Sequence, residues 1–300
     1  MVDVYSTTLI KIRAWKYMLT QSRIHAMISA KNVWDAARVL LDCGYQIPDE
    51  MLSGTGEFKD DEIIDKERAT VFKQLEEFCK NKNLKYCIKA KYEYHNIKVL
   101  YKIKRGLVDL NEALYPFAVK RDVSEFDKIV LPGKLAKTLK VLDKVQDITS
   151  LQIDAAFTKE LYLDVAAHAK KLKNKTFRLY YSTDADYTNL KTALKCKRNG
   201  QELEDYFVAG GKIDIDDIDM ELDEHENPTI EKLEKEQELA LLEITETDKD
   251  DLFKENIIFW WFNIKQVELQ VIKLILMGKK FGFTDARIRD SIGGLYDRFN

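Results

Sequence analysis

Three segments of the chain repeat one pattern, and that repetition constrains the fold more than any composition figure. The first runs from Tyr94 to Gly106, the second from Tyr187 to Gly200, and a looser third from Leu269 to Gly282. Aligned, Lys98, Lys191 and Lys273 coincide, as do Lys104, Lys197 and Lys279, and then Arg105, Arg198 and Lys280. An acid stands five residues before the first lysine in each: Glu93, Asp186 and Glu268. The copies lie 93 and then 82 residues apart, so the chain reads as three related units of ordinary domain length. Their expected extents are 1–106, 107–205 and 206–300.

The repeated segments read as helices. In the first, Cys87, Ala90, Tyr94, Ile97 and Tyr101 follow a three-four spacing with Leu100 beside it, the stripe of a helix buried on one face. Its last turn holds Lys102, Lys104 and Arg105 before Gly106, and the other two copies end the same way at Gly200 and Gly282. Cations there face the negative end of the helix dipole. A glycine just past the end can take the left-handed conformation that satisfies the last carbonyls. The basic turns therefore have a structural explanation. A second reading makes Lys104, Arg105, Lys197, Arg198, Lys279 and Lys280 contacts to an acidic partner surface.

The rest of the chain points the same way. With 45% hydrophobic residues it can bury a core, and with only 4 prolines and 12 glycines it favours long helices over many short strands. Further helices are expected over 7–30, after an Asn32 cap, over 60–81, 135–145, 154–172, 177–198 (capped by Asn174), 229–244, 252–280, and after a Thr284 cap. Asp109 or Asn111 could cap another. The fold class expected is all-α, three helical bundles in series. The longest apolar run, Ile257 to Phe262, is far short of the roughly 20 residues needed to span a bilayer. The Trp260-Trp261 pair within it reads as core filling, with Phe253, Ile257 and Ile264 at helical spacing around it.

Charge is segregated. Residues 201–255 hold 21 Asp or Glu against 5 Lys, so a net charge of −3 hides an acidic arm and a basic body. Residues 212–250 read as an acidic linker in the third unit. The helix over 229–244 is expected to be exposed over much of its surface. The four cysteines form no CxxC pair, which predicts reduced, buried thiols of a cytoplasmic protein, and the first residues do not read as a signal peptide.

Motifs that would carry chemistry are missing. No P-loop exists, and Gly54-Thr-Gly56 lacks the rest of a dinucleotide fingerprint. Asp214 to Asp219 starts like a calcium loop, but Asp219 stands where glycine must turn and His225 where the bidentate Glu should be. His25, His95, His168 and His225 are scattered, with no HExxH pair, and no GxSxG elbow occurs. No catalytic residue, metal site, cofactor or small-molecule substrate is expected. Nucleic-acid binding is disfavoured because the chain is net acidic and offers no basic, aromatic strand platform.

Several segments together resemble a known family. Glu93-Tyr-His-Asn-Ile-Lys98 and Asp186-Tyr-Thr-Asn-Leu-Lys191 are similar to the C subunit of the bacterial and archaeal V/A-type rotary ATPases, whose eukaryotic counterpart is the d subunit of the V-ATPase. Tyr5 to Arg13, Leu40 to Tyr45 and Val271 to Lys279 add to the match. The resemblance implies a funnel of three similar helical subdomains about a pseudo-threefold axis. It implies a non-catalytic peripheral subunit on the cytoplasmic face of the membrane. Its partners would be the proteolipid ring and the central-shaft subunits D and F, with torque passed between ATP chemistry and H⁺ or Na⁺ movement. The chain departs from its own pattern at Val271, which replaces Asn96 and Asn189 of the other copies. Alternatives are a free-standing helical adaptor, or an enzyme using acids such as Glu93 and Asp186.

Overall fold

Side-chain caps set most of the helix starts. The computed structural model describes residue 12 and residues 19–54, 56–108, 114–118, 123–225, 227–247 and 256–299. Helix α1 (Gln21–Ile28) begins behind Thr20, and α2 (Val33–Asp42) behind Asn32, whose Oδ1 accepts from Asp35 N at 2.8 Å. A short α3 (Asp49–Leu52) precedes α4 (Asp60–Phe78). Asn81 caps α5 (Lys82–Lys104), the first repeated helix. After α6 (Leu135–Leu142), Thr149 and Gln152 form a reciprocal capping box at the head of α7 (Ser150–Leu172). Asn174 caps α8 (Lys175–Asn199), the second repeated helix. The chain continues through α9 (Ile218–Glu224), α10 (Ile230–Glu246) and the third repeated helix α11 (Asn256–Lys280) to a Thr284-capped α12 (Asp285–Ile292). Among the described residues every regular element is helical, and none is long and apolar enough to cross a membrane. The fold is all-α.

The expected helix over residues 7–30 is described only at Ile12 and from Leu19 onward. The cap candidates Asp109 and Asn111, the Tyr5 to Arg13 segment apart from Ile12, and Phe253 lie outside the described residues. All four cysteines are buried and none forms a disulfide.

The chain groups into two compact bodies, residues 1–80 with 248–300, and residues 81–247. These lines differ from the three sequence units, because α5 groups with the helices after it and not with those before it. In the first body α11 is the central element and packs chiefly against α4. Ile257 to Phe262 are all buried, so this end of α11 is enclosed around its whole circumference. Trp261 sits edge-on to Phe78 at 5.7 Å, and Phe262 edge-on to Phe72 at 5.3 Å. The tryptophan pair is core.

In the second body α5 packs chiefly against α7, and α8 against α10. The stripe read from the sequence of α5 is buried, Ile97 and Tyr101 included. On α7 the buried face is Ile153, Phe157, Val165 and Ala169. The largest difference is the acidic stretch. Residues 212–247 carry α9 and α10, and Ile218, Leu222 and Leu233 bury themselves with Leu190 and Ala193 of α8. Acidic residues cover the outer face while a few apolar residues at helical spacing dock the inner one. This segment is therefore a packed part of the second body.

Candidate interface at the repeated helices

Each repeated helix has one principal partner, and its aligned lysine reaches across to it. Lys98 of α5 lies 2.8 Å from Asp154 of α7. Lys191 of α8 donates to Gln237 Oε1 of α10 at 2.7 Å, with Glu234 at 3.9 Å. Lys273 of α11 lies 2.7 Å from Asp61 of α4. Asp154 also takes Lys102 at 3.0 Å. Burial pushes the Asp154 carboxyl up, but the hydrogen bonds and charges of Lys98 and Lys102 outweigh it and hold the group below its ordinary value.

The asparagines of the first two copies do the same job in two places. Both are fully buried. Asn96 Nδ2 donates to Tyr115 O and Asn96 Oδ1 accepts from Tyr115 N, each at 2.9 Å. Asn189 does this to Val208, at 2.9 and 2.8 Å. In each case the clamped residue lies 19 positions further on. The amide thus replaces a strand neighbour for one residue of the following loop, satisfying both of its backbone groups, which at Val208 are buried. In α11 the equivalent Val271 is fully buried and apolar, so this clamp is absent there. The aligned asparagines were visible in the sequence; the residue they hold was not, because no local pattern marks it.

The aligned acids have diverged. Asp186 Oδ1 accepts from Lys212 N at 2.8 Å and Ile213 N at 3.0 Å, tying down the loop after Val208. Gly211 makes this possible, since a Cβ there would stand 2.0 Å from the same oxygen. Burial raises the Asp186 carboxyl above its ordinary value, and the two backbone amides pull the other way. Glu268 is almost fully buried, accepting from the Tyr45 hydroxyl and from Lys265 Nζ at 3.1 and 3.3 Å. Burial pushes it up as well, against the Lys265 charge. Glu93 lies 3.8 Å from Lys89 on its own helix. The acids considered for an enzyme, Glu93 and Asp186, therefore sit in unlike environments, and Asp186 is committed to backbone amides. Among the described residues no group of three or more His, Cys, Asp or Glu side chains could hold a metal.

The basic last turns are mostly satisfied within the chain. All three repeated helices end with the same stop: Leu107 N donates to Lys102 O, Gln201 N to Cys196 O and Phe283 N to Gly278 O. Gly106, Gly200 and Gly282 occupy the left-handed region, at φ 69°, 63° and 70°, as the capping reading requires. Lys104 lies 2.8 Å from Asp127, Lys197 2.8 Å from Asp219, Lys279 2.7 Å from Asp285 and Lys280 3.2 Å from Asp60. Arg105 donates to the carbonyls of Leu142 and Val145, closing the end of α6. Arg198 is exposed and makes no ion pair among the described residues.

Two comparisons bear on this arrangement. The family described as ATP synthase (C/AC39) subunit matches residues 11–291. The C subunit of the V-type ATP synthase of Thermus thermophilus, from each of two strains, is 34% identical over 86 residues. That match covers 28% of this chain and 26% of each relative, so the chain spans about a quarter of the length of the curated relatives it matches.

Proposed function

The chain belongs to the ATP synthase (C/AC39) subunit family, and from that premise we propose that it is the non-catalytic socket joining the rotor shaft to the membrane ring of a V-type rotary ATPase or ATP synthase. The observation that carries this reading is the family match over residues 11–291. In this reading the chain is a peripheral subunit on the cytoplasmic face of the membrane. The proteolipid ring is one partner, and the shaft subunits D and F are the other. The chain turns with both and passes torque between ATP chemistry and H⁺ or Na⁺ transport. The three repeated helices would stand around a pseudo-threefold axis, each in a similar subdomain.

What supports a mechanical role is the bracing of the repeated helices. A torque-bearing part must resist shear, and close-packed interiors have low compressibility. Each repeated helix lies along one long partner with a lysine bridge across the pair. The six cations of the last turns are proposed as partner contacts. Lys104 and Lys197 suit this best, because their present acids, Asp127 and Asp219, are 83% and 74% exposed. Such surface pairs contribute roughly 0–1 kcal/mol and can be exchanged for a partner's acids at little cost.

The test is a combined Lys104→Glu, Lys197→Glu and Arg198→Glu variant. It should keep its helicity and melting point while losing co-purification with ring and shaft proteins. Normal assembly of that variant at physiological salt would remove the cations from the interface. Failure of the unaltered chain to co-purify with ring and shaft proteins would remove the socket reading itself.

A further inference from the structure

A cleft of about 350 Å³ opens in the second body between α5, α7, α8 and the turn after α8. That volume lies within the roughly 300–1,000 Å³ of small-molecule sites. Lys98, Lys191 and Lys195 line it, with Asp154 as its acid and Gln201 and Tyr206 in the wall. None of these residues belongs to the basic last turns assigned to partner contacts.

The charges lining the cleft do not balance, since three lysines face one carboxylate. Asp154 is shared by two ammonium groups, Lys98 at 2.8 Å and Lys102 at 3.0 Å. Lys191 reaches the neutral amide of Gln237, and its nearest carboxylate, Glu234, is 3.9 Å away and 55% exposed. Burial lowers the Lys191 ammonium from its ordinary value, and the charges of Glu234, Asp184 and Glu238 do not make up the difference. Lys195 makes no ion pair among the described residues. At ion-pair distance, Lys98, Lys102, Lys191 and Lys195 thus meet only Asp154 and Glu234 among the described residues, while Asp184 and Glu238 act on Lys191 from outside the lining.

We propose that this cleft binds a small phosphomonoester, whose dianion matches the unbalanced lysines. Lysine serves phosphate as a mobile point charge, and Lys98, Lys191 and Lys195 from two helices can close on one phosphoryl group without the planar match arginine requires. A partly desolvated lysine such as Lys191 gains most from a dianion, because the carboxylates around it only partly offset its burial. The phosphomonoester can come from a free metabolite or from the headgroup of a phosphatidic acid lipid.

Calorimetric titration of the full chain with glycerol 3-phosphate tests the free source. Flotation with phosphatidylcholine vesicles carrying phosphatidic acid tests the lipid source. Saturable binding in either arm, weakened at least tenfold by Lys195→Glu, is the expected result. Dimethyl phosphate, a monoanion, should bind at least tenfold more weakly than glycerol 3-phosphate. Lys195 is exposed and makes no ion pair among the described residues, so its reversal leaves the fold intact, which an unchanged melting point checks; Lys191→Met gives a second, independent loss. No saturable binding in either arm overturns the proposal. So does binding that Lys195→Glu and Lys191→Met leave unchanged, or equal affinity for the monoanion.

Discussion

Asn189 illustrates how much rests on a single side chain. Its amide pairs with both backbone groups of Val208, and all of these atoms are buried. Asn189→Ala should cost roughly 1–3 kcal/mol for each group left without a partner. The amide proton of Val208 should also lose its protection from hydrogen exchange. A change below about 0.5 kcal/mol with that protection intact would mean the loop is held by something else. Asp154 makes a pH-dependent contribution. Its native pKa is depressed below the ordinary 3.8, so the unfolded chain binds the proton more tightly than the native one. Stability from this group is therefore fully present above the ordinary value and is lost as pH falls through the native one. Urea midpoints of the wild type and Asp154→Asn should differ most near neutral pH and converge in acid. A difference that does not shrink with falling pH would contradict the ion-pair account. At this scale the sequence showed which residues recur, namely the lysines, asparagines and acids. It could not show that Asn189 holds Val208 or that Asp186 holds the amides of Lys212 and Ile213, because those partners lie in irregular loops with no periodicity to read.

Helices were the legible elements, and helix partners were not. Caps such as Asn32, Asn174 and Thr284 are short-range signals, and the structure uses all three. Periodicity identifies an inward face but not what covers it. The segment over 212–250 shows the consequence: its dense acids suggested a solvated linker, yet Leu233 is fully buried and Leu242 nearly so. Few apolar residues suffice when they fall on one face of a helix that lies against α8. Leu233→Ala should then cost about 2–5 kcal/mol, the range for truncating a buried leucine. Exchange protection along α10 should fall with it. A neutral Leu233→Ala would return this segment to the linker reading. The same limit applies to α11, where burial around the whole circumference at Ile257 to Phe262 leaves no one-sided stripe to read.

At the scale of the molecule, the repeat and the compact bodies are cut differently, and the difference is testable. In the second body the principal pairs, α5 with α7 and α8 with α10, are both internal to residues 81–247. In the first body the pair is made across the chain, since α4 precedes α5 in sequence and α11 follows α10. The third copy of the repeat is thus completed by a helix from the opposite part of the sequence. Residues 81–247 expressed alone should therefore be helical and unfold cooperatively in urea, with each repeated helix keeping its partner. Residues 1–80 alone should be largely unfolded, because Ile63, Ile64, Phe72 and Phe78 of α4 lose the surface of α11 that buries them. Mixing residues 1–80 with residues 248–300 should restore helicity and shift the tryptophan emission to the blue, as Trp261 returns to Phe78. The middle fragment contains no tryptophan, so that signal reports on the first body alone. An unfolded 81–247 fragment would show that the second body depends on the first. In that case stability would be shared along the whole chain.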